Sequence, residues 1–197
     1  MLSDRVVQSG GTGILVTAHK GVDLHAATAR RVMCDRLQGG ERLAELRRCE
    51  FHAFAQGAPG APRLEALLAT GRYCNPNKHR YGHFTLAVPF AWDAGEGGNF
   101  PAGWPGGADD PGRADARAGL AALLGGPAPA GYAAVDVAAW ARGQQGPVVS
   151  GTLWRLVVRG EGEAALATGR LLAVARGGRE GLLVNPHMEC WLLAAGV

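Results

Sequence analysis

The chain contains very little lysine and asparagine, and it has no apolar run long enough to cross a membrane. Only two of its 197 residues are Lys and only four are Asn, whereas 31 are Gly. The apolar run at 182–184 is far shorter than the roughly 20 residues needed to span a bilayer. The first residues also lack the basic and apolar segments of a secretory signal. We therefore expect a cytoplasmic protein that has no membrane partner.

Paired cysteines and a concentrated basic surface are also missing. Cys34, Cys49, Cys74 and Cys190 are widely spaced and form no CxxC motif, so free thiols are expected in place of a disulfide framework. The net charge is only +3, and the basic residues form no stripe interleaved with aromatics, which argues against a nucleic-acid partner. The sequence has no Walker motif and no Gly-x-Ser-x-Gly elbow. Neither a cofactor nor a metal ion is expected.

The spacing of apolar residues predicts alternating strands and helices in both halves of the chain. In the first half, strands are predicted at 14–17, 46–55 and 83–90, and helices at 24–38 and 62–70. A helix over 42–55 is the alternative to the middle strand. In the second half, helices are predicted near 116–124 and at 163–175, and strands at 132–140, 154–158 and 190–193. Trp140 and Trp154 would then pair across a hairpin.

Two short stretches, 73–79 and 183–189, repeat each other. They hold three of the four Asn residues and one of the two Lys residues of the chain. Each contains an Asn-Pro pair, follows a predicted helix and precedes the last strand of its half. This concentration of rare residues in matching places predicts an internal duplication with a special Asn-Pro turn in each copy.

The predicted fold class is α+β, because strands and helices alternate in the manner of ferredoxin-like units. We expect two such units, βαβαβ and βαββαβ, fused as a pseudo-dimer of antiparallel sheets covered by helices. They would pack sheet to sheet or join edges. The first unit is predicted at 1–92 and the second at 113–197, with strand 83–90 as a candidate for sharing. The Gly/Pro-rich stretch 93–112 between them is read as a loop or linker.

The densest polar cluster of the sequence is the stretch 77–83. In a strand, His79, Tyr81 and His83 would point to one side, where the two histidines with Cys74 would suit a metal such as zinc. Alternatively, Lys78, His79 and Arg80 would form a pocket for a phosphate or carboxylate, with bidentate hydrogen bonds from the guanidinium. A polar turn followed by an exposed strand face is the third interpretation.

The second copy of the turn offers a different pair of groups. His187 and Glu189 would share a side of an extended segment and could act as an acid–base pair. A solvated strand edge is the alternative.

Several of these residues resemble a known family. Lys20 and Gly21 follow the first predicted strand, and Leu182-Leu183-Val184-Asn185-Pro186 precedes the last one. Both features are similar to PurS, the small subunit of bacterial formylglycinamidine ribonucleotide synthase. Cys74-Asn75-Pro76 is a looser copy of the second feature. The resemblance implies a βαβαβ fold and a non-catalytic subunit of purine biosynthesis that bridges a glutaminase and a synthetase. The chain departs from the family by fusing two units and adding 93–112.

The sequence thus favours an accessory subunit that docks and aligns larger enzyme subunits of the synthetase or amidotransferase type, or that self-associates. No catalytic residue is expected. The residues predicted to contact a ligand or partner are Lys20, Asn75, Asn77, Lys78, His79, Arg80, Tyr81, Asn185 and His187. The alternative function is a small enzyme, or a protein that binds an anion or phosphate ligand, with its site at 77–83.

Overall fold

The computed structural model describes residues 11–56, 60, 62–86, 97, 98, 100, 104, 114–144 and 146–196, with the backbone alone at 114–117. Six strands lie in these ranges: β1 (Thr12–His19), β2 (Leu43–Ala55), β3 (His79–Leu86), β4 (Tyr132–Ala141), β5 (Val148–Arg159) and β6 (Glu189–Ala195). The α-helices are α1 (Leu24–Arg36), α2 (Leu64–Ala69), α3 (Ala114–Leu123) and α4 (Gly162–Ala173). None of these helices has the length and apolar character needed to cross a membrane.

The strands form one antiparallel sheet in the order β3-β1-β2-β5-β4-β6. The two halves meet where β2 pairs with β5, from Leu43 opposite Val158 to Phe54 opposite Val148. They therefore join edges in one continuous sheet, which is one of the two arrangements that the sequence predicted, and the sheet-to-sheet alternative is wrong. The physical reason is the length of β2, which pairs with β1 on one side and with β5 on the other.

The third strand begins earlier than the sequence predicted. It starts at His79 and ends at Leu86, and residues 87–90 of the prediction lie outside the described residues. Among the described strands it pairs with β1 alone. It is thus the outer described strand of the first half, and β4 is the first strand described in the second half. Most of the predicted 93–112 loop also lies outside the described residues, although Gly98 bridges Leu192 on the outer side of β6.

Residues 43–55 form a strand, and the helical alternative for 42–55 is wrong. Cys49, Phe51 and Ala53 are buried in one core cluster, as alternation along a strand requires.

The predicted pairing of Trp140 with Trp154 is also wrong. Trp154 lies opposite Val137, and the two tryptophans belong to core clusters on opposite faces of the sheet.

Helices cover both faces of the sheet. Helices α1 and α4 pack on one face, where Met33 and Leu172 contact the core that contains Leu156. Helix α2 packs on the same face of the first half through Leu67. On the other face, Leu120 of α3 packs with residues of β1, β2, β3 and β5. The described helices therefore do not share one face, in contrast to a ferredoxin-like unit.

A fully buried ion pair links β4 and β5 on the α3 face of the sheet. Arg155 Nε donates to Asp136 Oδ1 at 2.7 Å, and its Nη2 donates to Oδ2 at 2.8 Å. The Arg155 Nη1 donates to the Gly126 carbonyl oxygen at 3.2 Å. The side chains are 0% and 1% exposed. Burial raises the pKa of Asp136, and the contact with Arg155 opposes this rise.

Candidate functional site

The first Asn-Pro turn (75–79) is closed by hydrogen bonds to Asn75. The carbonyl oxygen of Asn75 accepts from the amides of Lys78 and His79, at 2.9 and 2.7 Å. Its side-chain oxygen accepts from the amide of Asn77 at 3.0 Å. An asparagine that bonds the backbone two residues onward is a standard turn device. The polar groups of this stretch thus stabilise the conformation of the turn itself.

The second Asn-Pro turn (185–189) has the same pattern. The carbonyl oxygen of Asn185 accepts from the amides of Met188 and Glu189, at 3.0 and 2.9 Å. Its side-chain oxygen accepts from the amide of His187 at 3.1 Å. The two turns, recognised in the sequence as a repeat, therefore share one hydrogen-bonded conformation.

The fifth residue of each turn bonds back to the amide of the asparagine. His79 Nδ1 accepts from the Asn75 amide at 3.3 Å, and Glu189 Oε2 accepts from the Asn185 amide at 2.7 Å. Partial burial lowers the pKa of His79, and the nearby His19 lowers it further. The lowered pKa favours the neutral ring that this bond requires. His79 and Glu189 thus have equivalent structural roles.

The basic residue that directly follows β1 or β4 holds each turn in place. Lys20 Nζ donates to the Pro76 carbonyl oxygen at 2.7 Å, and Arg142 Nη2 donates to that of Pro186 at 2.8 Å. The main-chain amide of each basic residue also donates to a carbonyl of the same turn, at 2.9 Å in both cases. We call Lys20 and Arg142 the clamp residues.

Four of the six histidines lie on the α2 face of the first half. His19 and His79 face each other across β1 and β3 with ring centroids 4.8 Å apart. His83 stacks on the ring of Phe54, which belongs to the core beneath α2. The fourth, His52, contacts Ser150 Oγ through Nδ1 at 2.9 Å. Burial lowers the pKa of His52 and of His83.

This histidine cluster offers little room for a substrate. The cavity beside His19 and His79 has a volume of about 10 Å³, which is close to the space of a single water. In the described part of the chain, no group of three or more His, Cys, Asp or Glu side chains is placed to hold a metal ion. The space beside His19 and His79 therefore holds little more than one water molecule.

A larger cleft opens at the end of β1. Thr17 is the last residue of β1 that pairs with β2, opposite Glu50, and the chain leaves the sheet after His19, while β2 continues back to Leu43. No described strand pairs with residues 43–48 on that side, although β5 pairs with them on the other. The space that β1 vacates is bordered by the start of α1 and measures about 740 Å³. We call it the β1 cleft.

Cationic side chains dominate the lining of the β1 cleft. They are Lys20, Arg30, Arg47, Arg48 and Arg80, against the carboxylates of Asp23 and Glu45. Arg47 Nη2 lies 3.1 Å from Glu45 Oε2. Arg48 Nη1 lies 3.6 Å from Asp23 Oδ2, and its Nη2 lies 2.9 Å from Glu50 Oε1. Two of the five cations are thus neutralised within the cleft.

The other three cations of the β1 cleft have no carboxylate partner among the described residues. Lys20 donates to a turn carbonyl, as described above, and Arg30 Nε donates to the Ala44 carbonyl oxygen at 2.9 Å. The Arg80 side chain is exposed and makes no hydrogen bond or ion pair with any described residue. The cleft therefore carries an excess of positive charge. Among its cationic side chains, Arg80 is the one that makes no hydrogen bond to a described residue.

The structure divides the predicted site residues between separate places. Only Lys20 and Arg80 of that set line the β1 cleft. Asn77, Lys78 and Tyr81 are exposed outside it. Asn75, His79 and the exposed Asn77 and Lys78 belong to the first Asn-Pro turn, and Asn185 and His187 belong to the second.

Sequence reasoning missed Arg30, Arg47 and Arg48. They reach the β1 cleft from α1 and from the start of β2. A run of two arginines at the start of a predicted strand was visible, but its partner residues are far away in the sequence.

Comparison with protein-family models, with curated proteins and with solved structures finds no match to this chain, so the function is inferred from the geometry of the site.

Proposed function

We propose that the protein binds a small phosphate- or carboxylate-bearing molecule in the β1 cleft. The observation that carries this proposal is the excess of cationic side chains around the cleft, with Arg80 free of any described partner. A guanidinium presents planar donors that match an oxyanion bidentately. Like charges gathered without acidic partners repel one another, so a bound anion would relieve that repulsion.

The anchoring of the neighbouring cations supports recognition. The bond from Arg30 Nε to the Ala44 carbonyl orients its guanidinium, which leaves the two Nη groups for a ligand. The bond from Lys20 Nζ to Pro76 uses one of the three ammonium donors. Groups fixed before binding lose less conformational entropy when the ligand arrives.

Titration calorimetry of inorganic phosphate and of citrate into the purified protein tests this function. We expect saturable binding that weakens with added salt, because exposed charges are screened. Arg80→Ala should raise the Kd about tenfold or more, since a charged hydrogen bond contributes roughly 1.5–3 kcal/mol and 1.4 kcal/mol is a factor of ten. Arg159→Ala is the matched control, because Arg159 is also exposed and lines neither this cleft nor the one described below.

Two results would overturn the proposal. One is the absence of saturable heat with either anion. The other is an equal loss of affinity in the Arg80→Ala and Arg159→Ala variants, which would indicate a diffuse charge effect without a site.

We also propose that the two halves are copies of one module, although the units are not complete ferredoxin-like folds. What supports this is the strand order, β3-β1-β2 followed by β5-β4-β6, and the shared conformation of the Asn-Pro turns. Glu50 and Thr152 pair with each other, Glu50 with Thr17, and Thr152 with Ala139. Thr17 and Ala139 each lie three residues before a clamp residue. A two-fold axis through the Glu50–Thr152 pair would therefore exchange the two clamps.

A second candidate function is the bridging role that the PurS resemblance implies. Its support is the exposure of apolar side chains near both Asn-Pro turns. Val22 and Leu24 are 79% and 71% exposed, and Met188 and Leu182 are 66% and 43% exposed. Native mass spectrometry of the chain purified from its own cells tests the role. A stoichiometric complex with a larger enzyme subunit would support bridging, whereas a free chain at cellular concentration would contradict it.

A further inference from the structure

We propose a second anion-binding site, in a cleft between the end of α4 and the second Asn-Pro turn. The cleft measures about 410 Å³ and is lined by Arg170, Arg176, His187 and Trp191 together with small and apolar residues. We call it the α4 cleft. Its ligand class is a compact molecule that carries a phosphate or carboxylate group. This inference does not rest on the proposed function, because it concerns other residues at another place in the sheet.

The polar side chains of the α4 cleft are all hydrogen-bond donors or can become donors. Arg170 lies in the last turn of α4, Arg176 follows the helix, and His187 belongs to the second Asn-Pro turn. No carboxylate is found among the described lining residues. Both arginines are exposed and have no ion-pair partner within the described ranges. A lining of this kind is complementary to a ligand that only accepts hydrogen bonds.

One residue that lines the α4 cleft has a buried hydrogen-bond donor without a partner among the described residues. Trp191 is only 3% exposed, and its indole Nε1 has no hydrogen-bond partner in the described part of the molecule. A buried donor left without an acceptor is destabilising, and buried indole groups usually find a partner. An oxygen atom of a ligand in the α4 cleft would supply it.

The last carbonyl groups of α4 are paired with amides of the loop 181–184. The last carbonyl groups of a helix attract cations and repel anions. Here the carbonyl oxygens of Leu171 and Ala173 accept from the amides of Gly181 and Leu183, at 2.9 and 2.8 Å, and Leu182 bonds in the same way to the intervening carbonyl. The loop 181–184 thus satisfies the groups that would oppose an anion, and the arginine donors remain.

Nuclear magnetic resonance of protein labelled with ¹⁵N at the tryptophan indoles tests the α4 cleft. Trp191→Phe removes the N–H and keeps an apolar ring, so the resonance that disappears is that of Trp191. Titration with inorganic phosphate should move this resonance saturably. Arg176→Ala should weaken the binding about tenfold, as expected for the loss of a charged hydrogen bond. Because Arg176 is exposed, the variant should keep its fold.

Arg80→Ala separates the two sites. It should leave the phosphate-dependent movement of the Trp191 resonance unchanged, even where it abolishes binding in the β1 cleft. The inference is overturned if the Trp191 resonance does not move, or if sodium chloride at equal ionic strength moves it equally. It is also overturned if Arg176→Ala titrates with the affinity of the unaltered protein.

Discussion

Replacing Asp136 by alanine should lower the free energy of unfolding by about 3–5 kcal/mol. The substitution leaves the Arg155 guanidinium fully buried without the carboxylate that accepts two of its hydrogen bonds. A lone charge in the interior has a large desolvation cost, and the Gly126 carbonyl is too weak an acceptor to compensate for it. Urea unfolding followed by circular dichroism measures the change.

Two further variants identify the cause of the loss. Asp35→Ala removes one member of the exposed Arg31–Asp35 pair, whose side chains are 86% and 62% exposed, and it should cost at most about 0.5 kcal/mol. Asp136→Leu combined with Arg155→Met removes both buried charges, and it should recover most of the stability that Asp136→Ala loses. A double variant as unstable as Asp136→Ala would show that the pair acts through its shape and not through its charge.

The local pattern of the sequence was sufficient to predict the type of most elements. The alternation at Cys49, Phe51 and Ala53 predicted a strand that the structure confirms, because each residue faces the same core. The repeated Asn-Pro pairs were predicted as turns, and both adopt one conformation. Such features depend on residues a few positions apart, which a sequence displays directly.

Long-range pairing could not be predicted in the same way. The junction of the two halves depends on β2 lying beside β5, and no pattern within either strand distinguishes that edge from another apolar edge. Arg155 shows the same limit, because the partner that allows it to be buried, Asp136, lies on a different strand.

The candidate site was predicted only in part for a related reason. The polar residues of 77–83 are adjacent in sequence, but the His79 side chain bonds to the amide of Asn75 within the turn, and the other side chains separate along the strand. Arg80 alone of that stretch lines the β1 cleft, where it joins Arg30 and Arg48 from other elements. Charge that converges from distant segments is visible only once the sheet register is known.

Replacing Gly181 by alanine should destabilise the fold by about 2–5 kcal/mol. Gly181 has a φ of +61°, a conformation that costs an L-residue about 1–2 kcal/mol. A Cβ at this position would also overlap the carbonyl group of Val174 and the amide nitrogen of Ala175. These are backbone atoms at the end of α4, so relief requires the loop 181–184 to move away from the helix end, as overpacking does at about 1–3 kcal/mol.

Gly178→Ala is the matched control for this prediction. Gly178 has nearly the same φ, +64°, but a Cβ there would meet no atom within 4 Å. Thermal unfolding of both variants should therefore show a modest loss for Gly178→Ala and a clearly larger one for Gly181→Ala. The difference measures the close approach of the loop to α4, which also allows the loop amides to bond to the helix carbonyls. Equal losses in the two variants would mean that backbone conformation alone requires glycine at 181, and that the loop does not pack tightly on the helix end.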